Sequence, residues 1–167
     1  MKSEDIRSIQ APIKQKYRDN PASAVITLKA SGKIGENLSC KVDTGKVISE
    51  AGLHPATGGN GTQLCSGDML LEALAACAGV TLNTVATAID IDLKDAEVVA
   101  EGDLDFRGTL GVSQEAPVGF KEIRLHYNLT TEASDEEVAT LLKLTERYCV
   151  VFQTLNRTNQ IQVSHSV

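Results

Sequence analysis

The sequence predicts an α+β fold in which antiparallel sheets wrap around a long buried central helix. Three observations carry this expectation. Ser66 to Ile89 runs without proline, opens on strong helix formers and is apolar on every side. Ala96 to Arg107 and Ile123 to Leu129 alternate apolar and polar residues with the period of two that a half-wet antiparallel sheet requires. Ser134-Asp135-Glu136-Glu137 is a capping box, and it opens an amphipathic helix.

Residues 1 to 22 read as a polar arm ahead of one domain over 23–167. Pro12 and Pro21 interrupt the arm, Lys14, Lys16, Arg18 and Asp19 keep it polar, and Tyr17 is its docking residue. Its charges recur every few residues around no apolar core, so it is not a signal peptide, and the expected compartment is the cytoplasm. From Ala24, residues Ala24, Ile26, Leu28 and Ala30 share one face of a first strand. Leu38, Cys40 and Val42 continue as a second, turning at Asp43-Thr44-Gly45, and Val47-Ile48 is a weaker third. The loop from His54 to Asp68 is rich in glycine and feeds the central helix, yet it has neither G-x-G-x-x-G nor a P-loop lysine, so a nucleotide site there is a poor reading.

Ser66 is the expected N-cap of the central helix, and Asp68 lies in its first turn, where a carboxylate complements the helix dipole. A helix apolar all round has to be covered all round. In a chain of 167 residues one core rarely suffices for that, and Ala73, Ala75, Ala76, Ala78 and Gly79 admit a close neighbour. Two copies packing through this helix as a homodimer satisfy both conditions. Glu72, Thr81, Asn83 and Thr84 argue against a membrane span.

Beyond the helix, Ala96, Val98, Ala100, Gly102, Leu104 and Phe106 line one strand face, and Ile123, Leu125, Tyr127 and Leu129 line another. Gly108 to Gly119 is the loop between them. The capped helix then carries Val138, Leu141, Leu142, Thr145 and Tyr148 on one side and leads into Cys149. Val150 to Leu155 forms a short helix, and Ile161 with Val163 marks a last strand. A formal net charge of -6 speaks against nucleic acid or an anionic membrane surface as partner.

Four cysteines without a C-x-x-C spacing read as thiols or a working redox pair. Cys77 inside the helix, taken alone, is a small hydrophobe. Cys149, at the end of a helix whose buried face packs on the same core, opens the alternative that the two sulfurs meet. Cys40 reads as core and Cys65 as a loop thiol. His54 with Cys65 makes no metal motif, and neither His126 nor His165 is placed to serve a Cys–His hydrolase.

The runs LLEALAACAGVTL around Cys77 and ERYCVVFQTL around Cys149 resemble the two cysteine motifs of the OsmC/Ohr family of thiol-dependent hydroperoxide reductases, and the similarity extends over roughly residues 24–165. The resemblance implies an intertwined homodimer with two central helices back to back. It also implies a peroxidase in which Cys77 attacks an organic hydroperoxide and becomes a sulfenic acid, Cys149 resolves it as a disulfide, and an external dithiol reduces the pair, with no cofactor or metal. The family supports its reactive thiol with an arginine and a glutamate. Here Arg18 and Asp68 are the candidate supporting residues, Lys29 and Lys33 the substitutes, since Gly67 stands where the glutamate falls and Val150 replaces the proline that often follows the second cysteine. The competing reading is a binding protein of the same fold that holds an apolar small ligand beside Cys77.

Overall fold

The computed structural model describes residues 2–20, 31–34, 40–43, 48–111 and 113–166. The strand expected over Ala24–Ala30 and the side chains of Tyr17, Arg18, Lys29, Lys33 and Cys40 lie outside the described residues.

The expected arm is helical. Helix α1 spans Ser3–Asp19, with Glu4 and Asp5 in its first turn and Pro12 inside it. Lys2 N–H donates to the Asp5 carboxylate at 2.9 Å, which anchors the start. Proline removes one backbone donor from the ladder, and Pro12 is tolerated here on an exposed stretch of the helix.

Strands β1 (Ser31–Ile34), β2 (Cys40–Asp43) and β3 (Ile48–Gly52) pair antiparallel, in the registers Gly32↔Val42 and Val42↔Ser49. Strand β4 (Leu64–Cys65) joins β3 in parallel through Ala51↔Leu64. The glycine-rich loop is fastened by its own side chains. His54 Nδ1 accepts from Ala56 N–H at 3.0 Å and caps the 3-10 turn Pro55–Thr57, while Asn60 Oδ1 accepts from Thr62 N–H at 2.9 Å. Gly58 closes that turn at φ 93, a left-handed conformation that glycine adopts without strain.

Helix α2 runs Ser66–Ala88, as the apolar stretch predicts. Leu74, Ala78, Leu82, Val85 and Ala86 are buried and form one stripe at helical spacing. Leu82, Val85 and Ala86 join Leu141 in a core flanked by Ile91, Leu93, Val98, Tyr127, Leu129, Leu142 and Leu144. Ala73, Ala76, Val80 and Asn83 make the opposite stripe, and within one chain that stripe is open, with Val80 70% exposed. By length and composition α2 could cross a bilayer, yet its buried stripe is the centre of a protein core.

Strands β5 (Leu93–Leu104) and β6 (Phe120–Thr131) form a two-stranded sheet. Thr131 donates to the Asp92 carbonyl at 2.8 Å and Asn128 to Glu97 at 2.9 Å, so the strands run in opposite senses. Arg124 forks onto both oxygens of Asp103 at 2.6 and 3.0 Å. The first strand ends earlier than its alternation suggests. Asp105 accepts from Arg107 N–H at 3.1 Å and caps a helical turn, α3 (Phe106–Thr109), which takes Phe106 and Arg107 out of the strand.

Helix α4 (Asp135–Tyr148) opens on the predicted box: Ser134 N–H donates to Glu137 at 2.8 Å and Glu137 N–H returns to Ser134 at 3.4 Å. Leu141 and Thr145 are buried, but Tyr148, expected on the same side, is 60% exposed with the Arg147 guanidinium 5.7 Å from its ring centre. Helix α5 (Val150–Leu155) follows directly. The last expected strand is absent: residues 158–166 are irregular, and Ile161 and Val163 stand exposed.

The chain divides into two compact units, one of Met1–Ile6, Ala73–Val99 and Tyr127–Val167, the other of Arg7–Glu72 and Ala100–His126. Both Cys77 and Cys149 belong to the first.

Candidate active site

Cys77 lies one turn before Thr81 on α2, at the seam between the buried and the open stripes of the helix, and is half-buried. Cys149 is fully buried at the junction of α4 and α5. Its N–H donates to the Thr145 carbonyl at 2.9 Å, ending α4, and its own carbonyl accepts from Gln153 N–H at 2.9 Å, starting α5. Extended backbone at Cys149, φ -72 and ψ 109, makes the bend between the two helices. The first N–H groups of a helix have no partner inside it, and here those of Val150 and Val151 are directed at the Cys77 sulfur.

Both thiols remain free, and they are hydrogen-bonded to each other. Burial is the largest influence on Cys77 and pushes its thiol up. The Val151 N–H, the Cys149 thiol, the Val150 N–H and the Thr81 hydroxyl together outweigh it, and the net position is below that of an ordinary cysteine. The Thr81 hydroxyl has one proton and also donates to the Cys77 carbonyl at 2.7 Å, which makes it the weakest of these supports. Cys149 moves the opposite way. Burial raises it, the Phe152 N–H offsets part of that, and the bond to Cys77 raises it further. The pair is thus polarised into a sulfur that ionises readily and a neighbour that keeps its proton.

Tyr127 on β6 packs against the same core cluster. Its hydroxyl is buried and has no hydrogen-bond partner among the described residues. Burial first, then the charges that Cys149, Glu146 and Cys77 carry when ionised, push it up to about 12. An unpaired buried hydroxyl costs about 1–3 kcal/mol.

The structure brings Cys77 and Cys149 together. Asp68, one of the two candidate supporting residues, is not among the partners of either sulfur. Arg18 lies near the end of α1 with its side chain outside the described residues, and Asp68 is exposed in the first turn of α2, nine residues before Cys77. Among the described residues, the groups that lower Cys77 are neutral donors. Gly67 faces Leu104 and Phe120, so a side chain begun there would run onto apolar groups. His54 stacks on Phe106 with ring centres 4.8 Å apart, and the partners of the Cys77 sulfur include no imidazole of the kind a hydrolase needs. Among the described residues no three metal-ligating side chains cluster. Sequence reasoning missed the Val150 and Val151 N–H groups, Thr81 and Tyr127; the one available signal was a residue other than proline after Cys149, since any such residue carries an N–H.

The fold is shared with solved structures of low sequence identity. An OsmC-like protein from Mycoplasma pneumoniae superposes with a TM-score of 0.67 at 19% identity, over 78% of this chain and 88% of that one. An organic hydroperoxide resistance protein from Legionella pneumophila gives 0.62 at 21%, over 78% and 90%. Another from Elizabethkingia anophelis gives 0.61 at 21%, over 78% and 88%. A comparison with functionally curated proteins returned no significant match. The family model for OsmC-like proteins matches residues 59–164, a span that includes α2, both cysteines and the helices that join at Cys149, and the chain belongs to the OsmC-like family.

Proposed function

We propose that this protein is a thiol peroxidase that reduces organic hydroperoxides through Cys77 and Cys149. The observation that carries the reading is the hydrogen-bonded, oppositely shifted thiol pair at the α4–α5 junction. Ionised Cys77 attacks the terminal peroxide oxygen, the O–O bond breaks, an alkoxide departs, and Cys77 is left as a sulfenic acid. Cys149 attacks that sulfur and expels water, which closes a Cys77–Cys149 disulfide; an external dithiol then reduces it by exchange. Sulfur carries both electrons. Organic hydroperoxide resistance proteins among the structural relatives support the substrate class at the level of the family.

The working form in this proposal is a homodimer in the cytoplasm. Cys77 borders the open stripe of α2, and a second copy packed over Ala76 and Val80 gives the thiol an apolar wall suited to an organic peroxide. The test is peptide-mapped mass spectrometry of the reduced protein after one equivalent of cumene hydroperoxide. A Cys77–Cys149 disulfide forming within seconds is expected, with the Cys77→Ser protein consuming no peroxide and the Cys149→Ser protein stopping at a sulfenic acid. Slow oxidation scattered over several residues, Cys65 included, would refute the proposal.

A further inference from the structure

We infer that the notch between α4 and the segment after α5 binds a small organic phosphate monoester. Lys143 and Arg147 on α4, Phe152 and Gln153 on α5, and Arg157 just beyond it line a cavity of about 490 Å3 there. All of it lies within one compact unit, neither Cys77 nor Cys149 lines it, and the inference does not depend on the peroxidase reading. Three cations stand against one carboxylate, Glu146, around this cavity, although the chain as a whole has a formal net charge of -6. Among the described residues none of the three makes an ion pair, whereas Arg107 and Arg124 are both taken up by aspartates. Local structure accounts for only one of them. Arg147 is in the last turn of α4, where a cation complements the helix dipole, but that effect fades within the turn and leaves Lys143 unexplained. Lys143 and Arg147 stand four residues apart on one helix face, a pairing of like charges that destabilises a helix. Arg157 brings a third like charge to the same cavity, and a bound dianion relieves all three.

The backbone of the notch is fastened by side chains. The Gln153 amide donates to the Glu146 carbonyl at 2.9 Å and ties α5 to the end of α4. Beyond α5, the Asn159 amide donates to the Thr154 and Arg157 carbonyls at 2.6 and 3.1 Å, which holds the chain at Arg157. The three cations are thus carried at set positions, and a ligand meets a frame that needs little ordering. Three cations against one carboxylate leave a surplus of two positive charges. A phosphate monoester carries about two negative charges on one compact group at neutral pH, where a carboxylate carries one. Guanidiniums fork onto phosphate oxygens in pairs and an ammonium adds a point charge, so Arg147, Arg157 and Lys143 make a matched set. The cavity is concave and of small-ligand size, with room beyond the phosphate for an organic part. Phe152, half-buried in its wall, offers that part an apolar surface.

Titration calorimetry on the full chain, with phenyl phosphate, inorganic phosphate and benzoate as probes, tests the assignment. Phenyl phosphate is expected to bind at one site per chain and to weaken as salt is added, as exposed charges do. Inorganic phosphate is expected to bind more weakly, for want of the ring, and benzoate, with the ring but a single charge, to give no saturable heat. Lys143→Gln, Arg147→Gln and Arg157→Gln should each weaken phenyl phosphate by about twofold to fivefold, as one exposed ion pair is worth, and the triple variant should lose it. Arg124→Gln changes the net charge by the same amount away from the notch, and its affinity should equal that of the wild type. Wild-type protein that binds neither phosphate probe overturns the inference without recourse to any variant. Benzoate binding as tightly as phenyl phosphate overturns the assignment to phosphate, and inorganic phosphate binding as tightly overturns the organic part. An equal loss in Arg124→Gln would show that only the overall charge is felt, and wild-type affinity in the triple variant would put the site elsewhere; either result overturns the inference.

Discussion

At the scale of the residue, the reactivity of Cys77 depends on atoms that no letter of the sequence names. Its thiol is pushed up by burial and brought down by the N–H groups of Val151 and Val150, the Cys149 thiol and the Thr81 hydroxyl. Val150 occupies the first position of α5, where proline is well accommodated, and the extended backbone at Cys149 already suits a residue before proline. Val150→Pro therefore keeps the fold while deleting one donor. The expected result is a Cys77 pKa above that of the wild type, read from thiolate absorbance at 240 nm across a pH titration, and a peroxide reaction at neutral pH slower by roughly tenfold to a hundredfold, as for the loss of one hydrogen bond to a charged group. The sign follows from ionisation: the thiolate fraction grows with pH, so the wild-type rate climbs and levels off at a lower pH than that of an ordinary thiol. An unchanged titration in the proline variant would show that the Val150 N–H is not a support. The two cysteines were legible because each sits in a recognisable run of side chains. The donors around them were not, because a backbone N–H becomes specific only when two helices meet.

At the scale of the element, alternation and capping carried most of the reading. The box at Ser134 is present with both of its bonds, and α4 is the element that delivers Thr145 and Cys149 to the core. Ser134→Ala is expected to destabilise the protein by about 1 kcal/mol, measured by urea unfolding, without altering the disulfide that forms on oxidation. Gly102 is a sharper case, since a Cβ there would meet the Phe120 ring at 2.5 Å and Leu71 at 3.3 Å. Gly102→Ala should cost about 1–3 kcal/mol by over-packing, and the same unfolding curve reads it; a neutral result would mean that Phe120 moves freely. Boundaries were less legible than the elements themselves. Leu104, Phe106 and Arg107 fit the alternation of β5 equally well by hydropathy, and the competing local bond from Asp105 to Arg107 N–H is what divides them. Ile161 and Val163 show the converse error, alternation in a stretch that forms no ladder with the described strands.

At the scale of the whole molecule, the sequence raised a question that a single chain leaves open. The central helix was expected to be covered all round because it is apolar all round, and one chain covers only the stripe through Leu74, Ala78, Leu82 and Val85. On the other side stand Ala73, Ala76, Val80 and Asn83, small or apolar except for the last, with Val80 70% exposed. A stripe of small residues is what a second helix needs for close approach, and burying Val80 fully against one contributes about 1.5–3 kcal/mol per chain. Val80→Asp places a charge in that contact, and a buried charge without a partner costs several kcal/mol. Light scattering coupled to size exclusion is expected to give twice the chain mass for the wild type, and the mass of one chain, or insoluble protein, for Val80→Asp. Gly79 refines the test. Its own chain leaves ordinary room for a Cβ, with Val98 at 3.8 Å, so a failure of Gly79→Ala to pair arises outside the chain rather than within its core. A dimer that survives both substitutions would place the interface elsewhere, and Cys77 would then have to find its apolar wall within one chain.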